Sequence, residues 1–283
     1  MTMLGHQAHR ELFKQLADSG NLAHGYLFGG PEGIGKRTFA YSLGSYLEGQ
    51  DFEIPTRALT DYLEISSDET GKIGIAQIRA FQESISGRPV MSQYRVGVVN
   101  DAHTLTEEAQ DALLKTAEEM PEQGVIILVT SDPLGISQTL RSRLQHIDFT
   151  DPIKEEEIAI WLNQECGVTK KDSITLAKRS FGRPGLAWRM QFDIPLKERL
   201  TAAQKLLSAS SNTASSVIKE YLAEAGDNFQ LSQFLDAMAI VLSWNRPVHG
   251  AAWHKLMKAR ELAAKTAINP RIHLLDIIQT LSK

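Results

Sequence analysis

One motif near the N-terminus limits the folds open to this chain: an apolar strand, a glycine-rich turn and a helix in direct succession. The strand is HGYLF, from His24 to Phe28, and the turn GPEGIGKRT runs from Gly30 to Thr38. A helix is predicted over residues 36–48, because apolar side chains recur on one face. Such a turn at a helix N-terminus cradles phosphate, since its backbone amides point at the ligand. An ordinary glycine-rich turn is the alternative.

The turn departs from the full phosphate-loop pattern at one position. Gly30, Gly35 and Lys36 satisfy G-x-x-x-x-G-K-[ST], but Arg37 stands where a hydroxyl would ligate magnesium. A guanidinium has no acceptor lone pair, so it cannot bind a metal ion. Thr38 does not replace the hydroxyl, because one further residue turns the side chain by roughly 100° around the helix.

Composition excludes several other classes of protein. The chain of 283 residues is long enough for more than one domain, and its net charge of -4 argues against a surface coated with basic residues. The single cysteine, Cys166, excludes an internal disulfide framework and a cysteine-rich zinc site, so no zinc is expected. No apolar run is long enough to cross a membrane, and MTMLGHQAHREL lacks the apolar core of a signal peptide. A cytoplasmic protein is therefore expected.

Strand-like and helical segments alternate through residues 1–150. The strand-like segments are HGYLF, DYLEI, VGVVN, VIILVT and HIDF. Helical segments separate most of them, which predicts parallel strands joined by crossover helices in a doubly wound α/β layer.

Further along the chain the strand signals nearly vanish. Apolar residues recur every three or four positions, so a helical subdomain is predicted over residues 151–207. Within it, Pro184 of FGRPG suits the first turn of a new helix. The small polar run SASSNTASS, residues 208–216, predicts a linker to a third, helical part over residues 208–283.

The third strand-like segment ends in a second motif. VGVVN delivers Asn100 and Asp101 to the place where a phosphate-loop ATPase presents one acid to magnesium and the next to water. Asn100 offers a neutral carbonyl there, and Asp101 is one methylene shorter than the usual glutamate. Both acidic functions are weakened together with the hydroxyl lost at Arg37. The alternative is that the two residues merely end a strand.

The order and spacing of these segments resemble a known family. HGYLFGGPEGIGKRTFA, KIGIAQIRAF, VGVVNDAHTLTEEAQDALLKTAEEMPEQGVIILVTSDP and TLRSRLQHIDF are similar to bacterial clamp-loader AAA+ subunits, most of all to the delta prime class of DNA polymerase III. The similarity runs through residues 22–150 and continues more weakly through FGRPGLA and NPRIHLLDIIQTL. It implies an α/β P-loop AAA+ module, with a parallel sheet flanked by helices, over residues 1–150. A small helical lid and a C-terminal helical bundle, the oligomerisation collar, follow.

The resemblance also implies roles for individual residues. Arg143, in SRL, matches the arginine finger that the family inserts into the ATP site of an adjacent subunit. Arg141 is a competing candidate, and a solvated helix end is the plainer interpretation of either side chain. Ser131 matches the sensor 1 position. The sensor 2 arginine would fall at Gly185, so that contact is lost, and Arg183 is two places out of register.

Ligands and partners follow from the same resemblance. Arg79, on the predicted helix IAQIRAF, matches an element that faces DNA, although a plain surface arginine is an equal alternative. ATP bound without hydrolysis is the expectation, and Mg²⁺ has no secure ligand. The implied partners are gamma/tau-like ATPase subunits, a delta-like subunit, the sliding clamp and primer-template DNA, with no membrane. The predicted nucleotide-binding residues are Gly30, Gly33, Gly35, Lys36, Thr38, Asp101 and Ser131.

Two functional hypotheses remain. In the first, the chain stabilises the loader pentamer through its C-terminal helices and lends Arg143 to a neighbour without hydrolysing ATP. In the second, it is a motor that hydrolyses ATP despite Arg37, with Asp101 organising water or metal. The residues Arg37, Asn100 and Gly185 all weaken the same reaction, which favours the first hypothesis. A helicase loader or stand-alone AAA+ regulator would instead form a self-contained ring.

Overall fold

The first half of the chain contains one parallel five-stranded sheet. A computed structural model describes residues 2–119, 121–209, 211–226, 229–244, 250–265 and 269–281. The strands are β1 (Gly25–Gly29), β2 (Tyr62–Ile65), β3 (Arg95–Val99), β4 (Gly124–Thr130) and β5 (Gln145–Asp148). They lie in the order β2-β3-β4-β1-β5, and every neighbouring pair is parallel. The predicted α/β layer is confirmed, and each strand end lies within one residue of its expected position.

Helices cover both faces of the sheet. Every residue of β1 and β4 is buried, which explains why these strands read as continuous apolar runs. The helices are α1 (Gln7–Asp18), α2 (Lys36–Leu47), α3 (Ile75–Ile85), α4 (Glu107–Glu118) and α5 (Gln138–Arg141). Alternate strand residues belong to two separate apolar clusters, one packed with α1 and α2 and the other with α3, α4 and α5.

The strand order brings the predicted site residues to one edge of the sheet. β3, β4 and β1 are neighbours, and parallel strands end at the same edge. At this edge β1 leads into Gly30, β3 into Asn100 and Asp101, and β4 into Ser131. The phosphate-loop motif and the acidic motif are therefore adjacent in space, although they are far apart in the sequence.

Helices alone follow β5 in the described residues. Ile158 and Leu162 are fully buried in a small core of their own, as the helical periodicity predicts. Ile160 and Ile174, which belong to the same apolar pattern, are instead each 55% exposed. A helix begins at Pro184, as expected. The first three helices of this part are α6 (Glu155–Gln164), α7 (Lys170–Arg179) and α8 (Pro184–Phe192).

Internal contacts divide the chain into two units, Met1–Ala187 and Trp188–Lys283. The division into domains over residues 1–150, 151–207 and 208–283 stays a prediction. Among the residues that the structure describes, no helix is long and apolar enough to cross a membrane. The remaining helices are α9 (Ile194–Leu207), α10 (Ser211–Ala225), α11 (Leu231–Trp244), α12 (Gly250–Lys265) and α13 (Pro270–Leu281).

The linker predicted over residues 208–216 is wrong as a description of local structure. α10 already begins at Ser211, and Ala214 and Ile218 on it are 1% exposed. Serine, threonine and asparagine are favoured at the start of a helix as well as in linkers, so composition does not distinguish the two. Burial of the two apolar side chains decides in favour of the helix.

Candidate functional site

The turn after β1 has a backbone that only glycine adopts without strain. Gly30, Gly33 and Gly35 have φ values of 144°, 79° and 114°. At Gly30 a side chain would also overlap the carbonyl oxygen of Phe149. Gly35 caps α2, so the amides of the first helical turn border this loop. The loop therefore has the backbone geometry of an anion-binding turn at a helix N-terminus.

Lys36 is bonded to the loop itself. Its ammonium donates hydrogen bonds to the carbonyl oxygens of Gly30 at 2.6 Å and Pro31 at 2.8 Å, and the residue is 6% exposed. Burial lowers the pKa of Lys36 to about 8, against the opposing effect of the Asp101 and Glu32 carboxylates. A cation is thus held in place within the loop, with its charge only partly balanced.

This lowered pKa gives a pH-dependent prediction. Between pH 8 and 10.5 the folded chain releases the Lys36 proton while the unfolded chain keeps it, so the free energy of unfolding rises with pH. Relative to Lys36→Met, the native chain should gain up to about 3 kcal/mol between pH 7 and 10. Chemical denaturation of both proteins at the two pH values measures the difference. A constant difference at both pH values would show that Lys36 keeps its ordinary pKa.

Arg37 makes a contact that the sequence analysis missed. Its Nε lies 2.6 Å from Oε1 of Glu64 on β2, and Glu64 also accepts a hydrogen bond from the Tyr62 hydroxyl at 2.9 Å. The guanidinium is therefore paired with the sheet. Glu64 is the only acidic residue of β2. This isolated carboxylate in a strand was the one sequence signal that could have indicated an ion pair there. Thr38, next along α2, is half-buried.

The two residues after β3 are bonded to each other. The side-chain amide of Asn100 donates to Oδ2 of Asp101 at 2.9 Å, and Asp101 has a left-handed backbone with φ of 52°. One carboxylate oxygen of Asp101 is thus occupied by its neighbour. Ser131, at the end of β4, is exposed. The adjacent Thr130 hydroxyl is buried and lies 3.3 Å from Nδ1 of His103.

The start of α8 lies directly on the phosphate loop. The Gly185 amide donates to the carbonyl oxygen of Gly33 at 2.8 Å. A Cβ atom on Gly185 would lie 3.0 Å from both the Cα and the carbonyl oxygen of Gly33. An arginine at Gly185 would therefore require the backbone of Gly33 to move by a few tenths of an ångström. Arg183 donates from Nε to the Ser180 carbonyl oxygen at 3.1 Å, and burial lowers its pKa.

A histidine from the N-terminal segment also contacts the loop. His6 Nε2 lies 2.9 Å from the Ile34 carbonyl oxygen and donates to it in the tautomer protonated at that nitrogen. The ring packs against Phe149 with centroids 4.9 Å apart, and burial lowers the pKa of His6. Like Glu64, His6 is far from the loop in sequence, and no local pattern identified it.

Arg143, the candidate finger, lies just beyond α5 and away from the phosphate loop in the sequence. Its side chain is 38% exposed, whereas Arg141 is half-buried. Nε and Nη2 of Arg143 each lie 2.6 Å from Oε1 of Glu118 at the end of α4, and Nη1 donates to the Thr139 carbonyl oxygen at 3.0 Å. Arg79 is exposed on α3, and its role in DNA binding stays a prediction.

Comparison with known proteins gives one family match and several relatives. A family model described as DNA polymerase III, delta subunit matches residues 5–152 of the 283. The gamma/tau subunit of DNA polymerase III from Mycobacterium bovis is 32% identical over 146 residues, which are 47% of this chain and 25% of the relative. The tau subunit from Bacillus subtilis is 32% identical over 140 residues, 45% of this chain and 24% of the relative. The matched residues thus span about a quarter of the length of each of these two relatives.

Solved structures share the fold over nearly the whole chain. A DNA polymerase III gamma subunit-related protein from Thermotoga maritima superposes with a TM-score of 0.62. The superposition covers 95% of this chain and 98% of the Thermotoga protein. Its sequence is 18% identical, so the likeness concerns the fold alone.

Proposed function

The chain belongs to the DNA polymerase III delta subunit family, with the AAA+ fold of clamp-loader proteins, and from this premise we propose that it is a clamp-loader subunit of the delta prime class. In this role it does not hydrolyse ATP. It stabilises the loader pentamer through its C-terminal helices and supplies Arg143 as a finger to the ATP site of a neighbouring subunit.

One observation supports the proposal most strongly. The loop has the geometry of a phosphate-binding turn, but the positions that would hold metal or contact phosphate during ATP hydrolysis carry groups that are paired within the chain or have no side chain. Arg37, at the metal-ligand position, is paired with Glu64. The side-chain amide of Asn100 donates to Asp101. Gly185 contacts Gly33 backbone to backbone, with no side chain aimed at a phosphate. Phosphoryl transfer depends on charge stabilisation by metal and cations, so these changes act on the same step.

The retained parts of the loop support nucleotide binding without turnover. The glycine turn and the amides at the start of α2 are intact, and Lys36 could exchange its carbonyl partners for phosphate oxygens. Gly30, Gly33, Gly35, Lys36, Thr38, Asp101 and Ser131 remain the proposed nucleotide-binding residues. Mg²⁺ has no secure ligand in this proposal, because a guanidinium and an amide stand in the two ligand positions.

The proposed role requires partners. These are gamma/tau-like ATPase subunits, a delta-like subunit, the sliding clamp and primer-template DNA, all in the cytoplasm. Arg79, exposed on α3, would contribute one phosphate contact to a duplex that several subunits hold. Exposure also favours Arg143 over the half-buried Arg141 as the finger, because a finger must leave its own surface.

ATP titration and turnover of the purified chain test the proposal. We expect turnover no higher than background, and we expect Lys36→Ala to weaken any measured ATP binding. Arg37→Thr restores the missing hydroxyl and is not expected to restore turnover, because Asn100 and Gly185 are unchanged. Turnover at the rate of a motor subunit, abolished by Lys36→Ala, would contradict the proposal.

A motor subunit is the second candidate, and one observation favours it: relatives named gamma/tau or tau are 32% identical over 47% and 45% of this chain. In that case Asp101 would organise water or metal despite its contact with Asn100. The same turnover assay distinguishes the two candidates. An Asp101→Ala variant should lose turnover only if the chain is a motor.

A further inference from the structure

Glu118 contacts the guanidinium of Arg143 without using all of its donors. A guanidinium has five N–H donors, one on Nε and two on each terminal nitrogen. Nε and Nη2 contact Oε1 of Glu118, and Nη1 donates to the Thr139 carbonyl oxygen. Each of these three contacts uses one N–H, so one N–H on Nη1 and one on Nη2 take no part in them. Donors on the two terminal nitrogens are suited to bidentate contact with phosphate.

The two contacts come from different elements and fix the guanidinium in rotation as well as position. Glu118 ends α4, and Thr139 lies within α5. A free arginine side chain loses about 2 kcal/mol of rotamer entropy when it is ordered. Ordering it before a phosphate arrives removes part of that cost from the transition state.

We infer that Glu118 is a positioning residue, which holds the Arg143 guanidinium with a donor on each terminal nitrogen left for an anionic phosphoryl group on a neighbouring subunit. The inference rests on the proposed finger role of Arg143. The side chains of Arg143 and Glu118 are 38% and 48% exposed, so the pair is screened and contributes roughly 0.2–1 kcal/mol. A pair of this strength orients the guanidinium without preventing its contact with phosphate.

The test uses a clamp loader reconstituted from motor subunits and this chain, with ATPase measured on primed DNA. Glu118→Ala is expected to lower kcat of the site that Arg143 serves by roughly two- to fivefold, with KM for ATP unchanged. Glu118→Gln keeps an acceptor oxygen and should lose less. Glu119→Ala is the matched control, because Glu119 has the same charge, is exposed and caps the same helix. It should have no effect.

A double-mutant cycle separates positioning from a general effect. In an Arg143→Ala background, Glu118→Ala should cause no further loss, since the residue acts through Arg143. An additional loss there, or native kcat in the single Glu118→Ala variant while Arg143→Ala is impaired, would overturn the inference and leave the proposed function standing. Native activity of Arg143→Ala itself would overturn both. Melting curves of the isolated variants, expected to match the native chain, confirm that each is folded.

Discussion

Replacing Arg143 by alanine is expected to remove nearly all ATP turnover at one site of a reconstituted clamp loader. An arginine finger supplied by another subunit typically contributes ~10³ to 10⁵ in rate, because it stabilises charge that develops in the transition state. The isolated variant should fold normally, since Arg143 is paired only at the surface. Single-turnover ATP hydrolysis resolves the affected site from the other sites of the loader, and clamp loading on primed DNA reports the consequence.

Two control variants make this result specific. Arg143→Lys keeps the positive charge but loses the planar fork, so it should remain strongly impaired. Arg141→Ala tests the competing arginine of the same segment. Turnover equal to the native loader in Arg143→Ala, together with a large loss in Arg141→Ala, would transfer the finger role to Arg141.

The sheet and the phosphate loop were predictable because their signals are local. A buried parallel strand is an apolar run, and a helix shows its period within a few turns, so strand ends lay within one residue of expectation. The glycines of the loop predict positive φ in the same local way, and Gly30, Gly33 and Gly35 have it.

The partners of the charged residues were not predictable, because they depend on which distant segments meet. Arg37 was recognised as a departure from the loop pattern, but its partner Glu64 lies one strand further on. Likewise, Arg143 was singled out from the sequence, but its partner Glu118 ends α4, a separate helix. Charge and spacing limit which residues can pair, but strand order and side-chain direction decide which ones do.

Gly185 shows a further limit of what can be predicted from one sequence. Its alignment with the family predicted the loss of an arginine, whereas the structure adds that the lost side chain leaves room for direct backbone contact with Gly33. A single sequence gives the residue type at a position but not the distance to the backbone opposite. The linker error has another cause, since small polar residues suit both a helix start and a loop.

Gly182→Ala is expected to destabilise the chain by roughly 2–5 kcal/mol, the largest of the predicted stability losses. Gly182 has φ of 74°, where a side chain costs roughly 1–2 kcal/mol. Its new Cβ would also overlap the Pro152 side chain and lie 2.8 Å from Pro152 Cα and 2.9 Å from the Ile153 nitrogen. Backbone atoms cannot rotate away, and the Ile153 amide is hydrogen-bonded to the Gly182 carbonyl oxygen, so crowding should add roughly 1–3 kcal/mol.

Gly167→Ala isolates the crowding from the backbone strain. Gly167 has nearly the same φ, 71°, but no atom of the described residues lies within 4 Å of a Cβ built there. Its variant should therefore lose only the roughly 1–2 kcal/mol of strain. Urea denaturation of the three proteins measures both losses, and equal losses would contradict the contact with Pro152. A greater loss at Gly182 would mean that the segment leading to Gly185 depends on close backbone packing against Pro152 and Ile153.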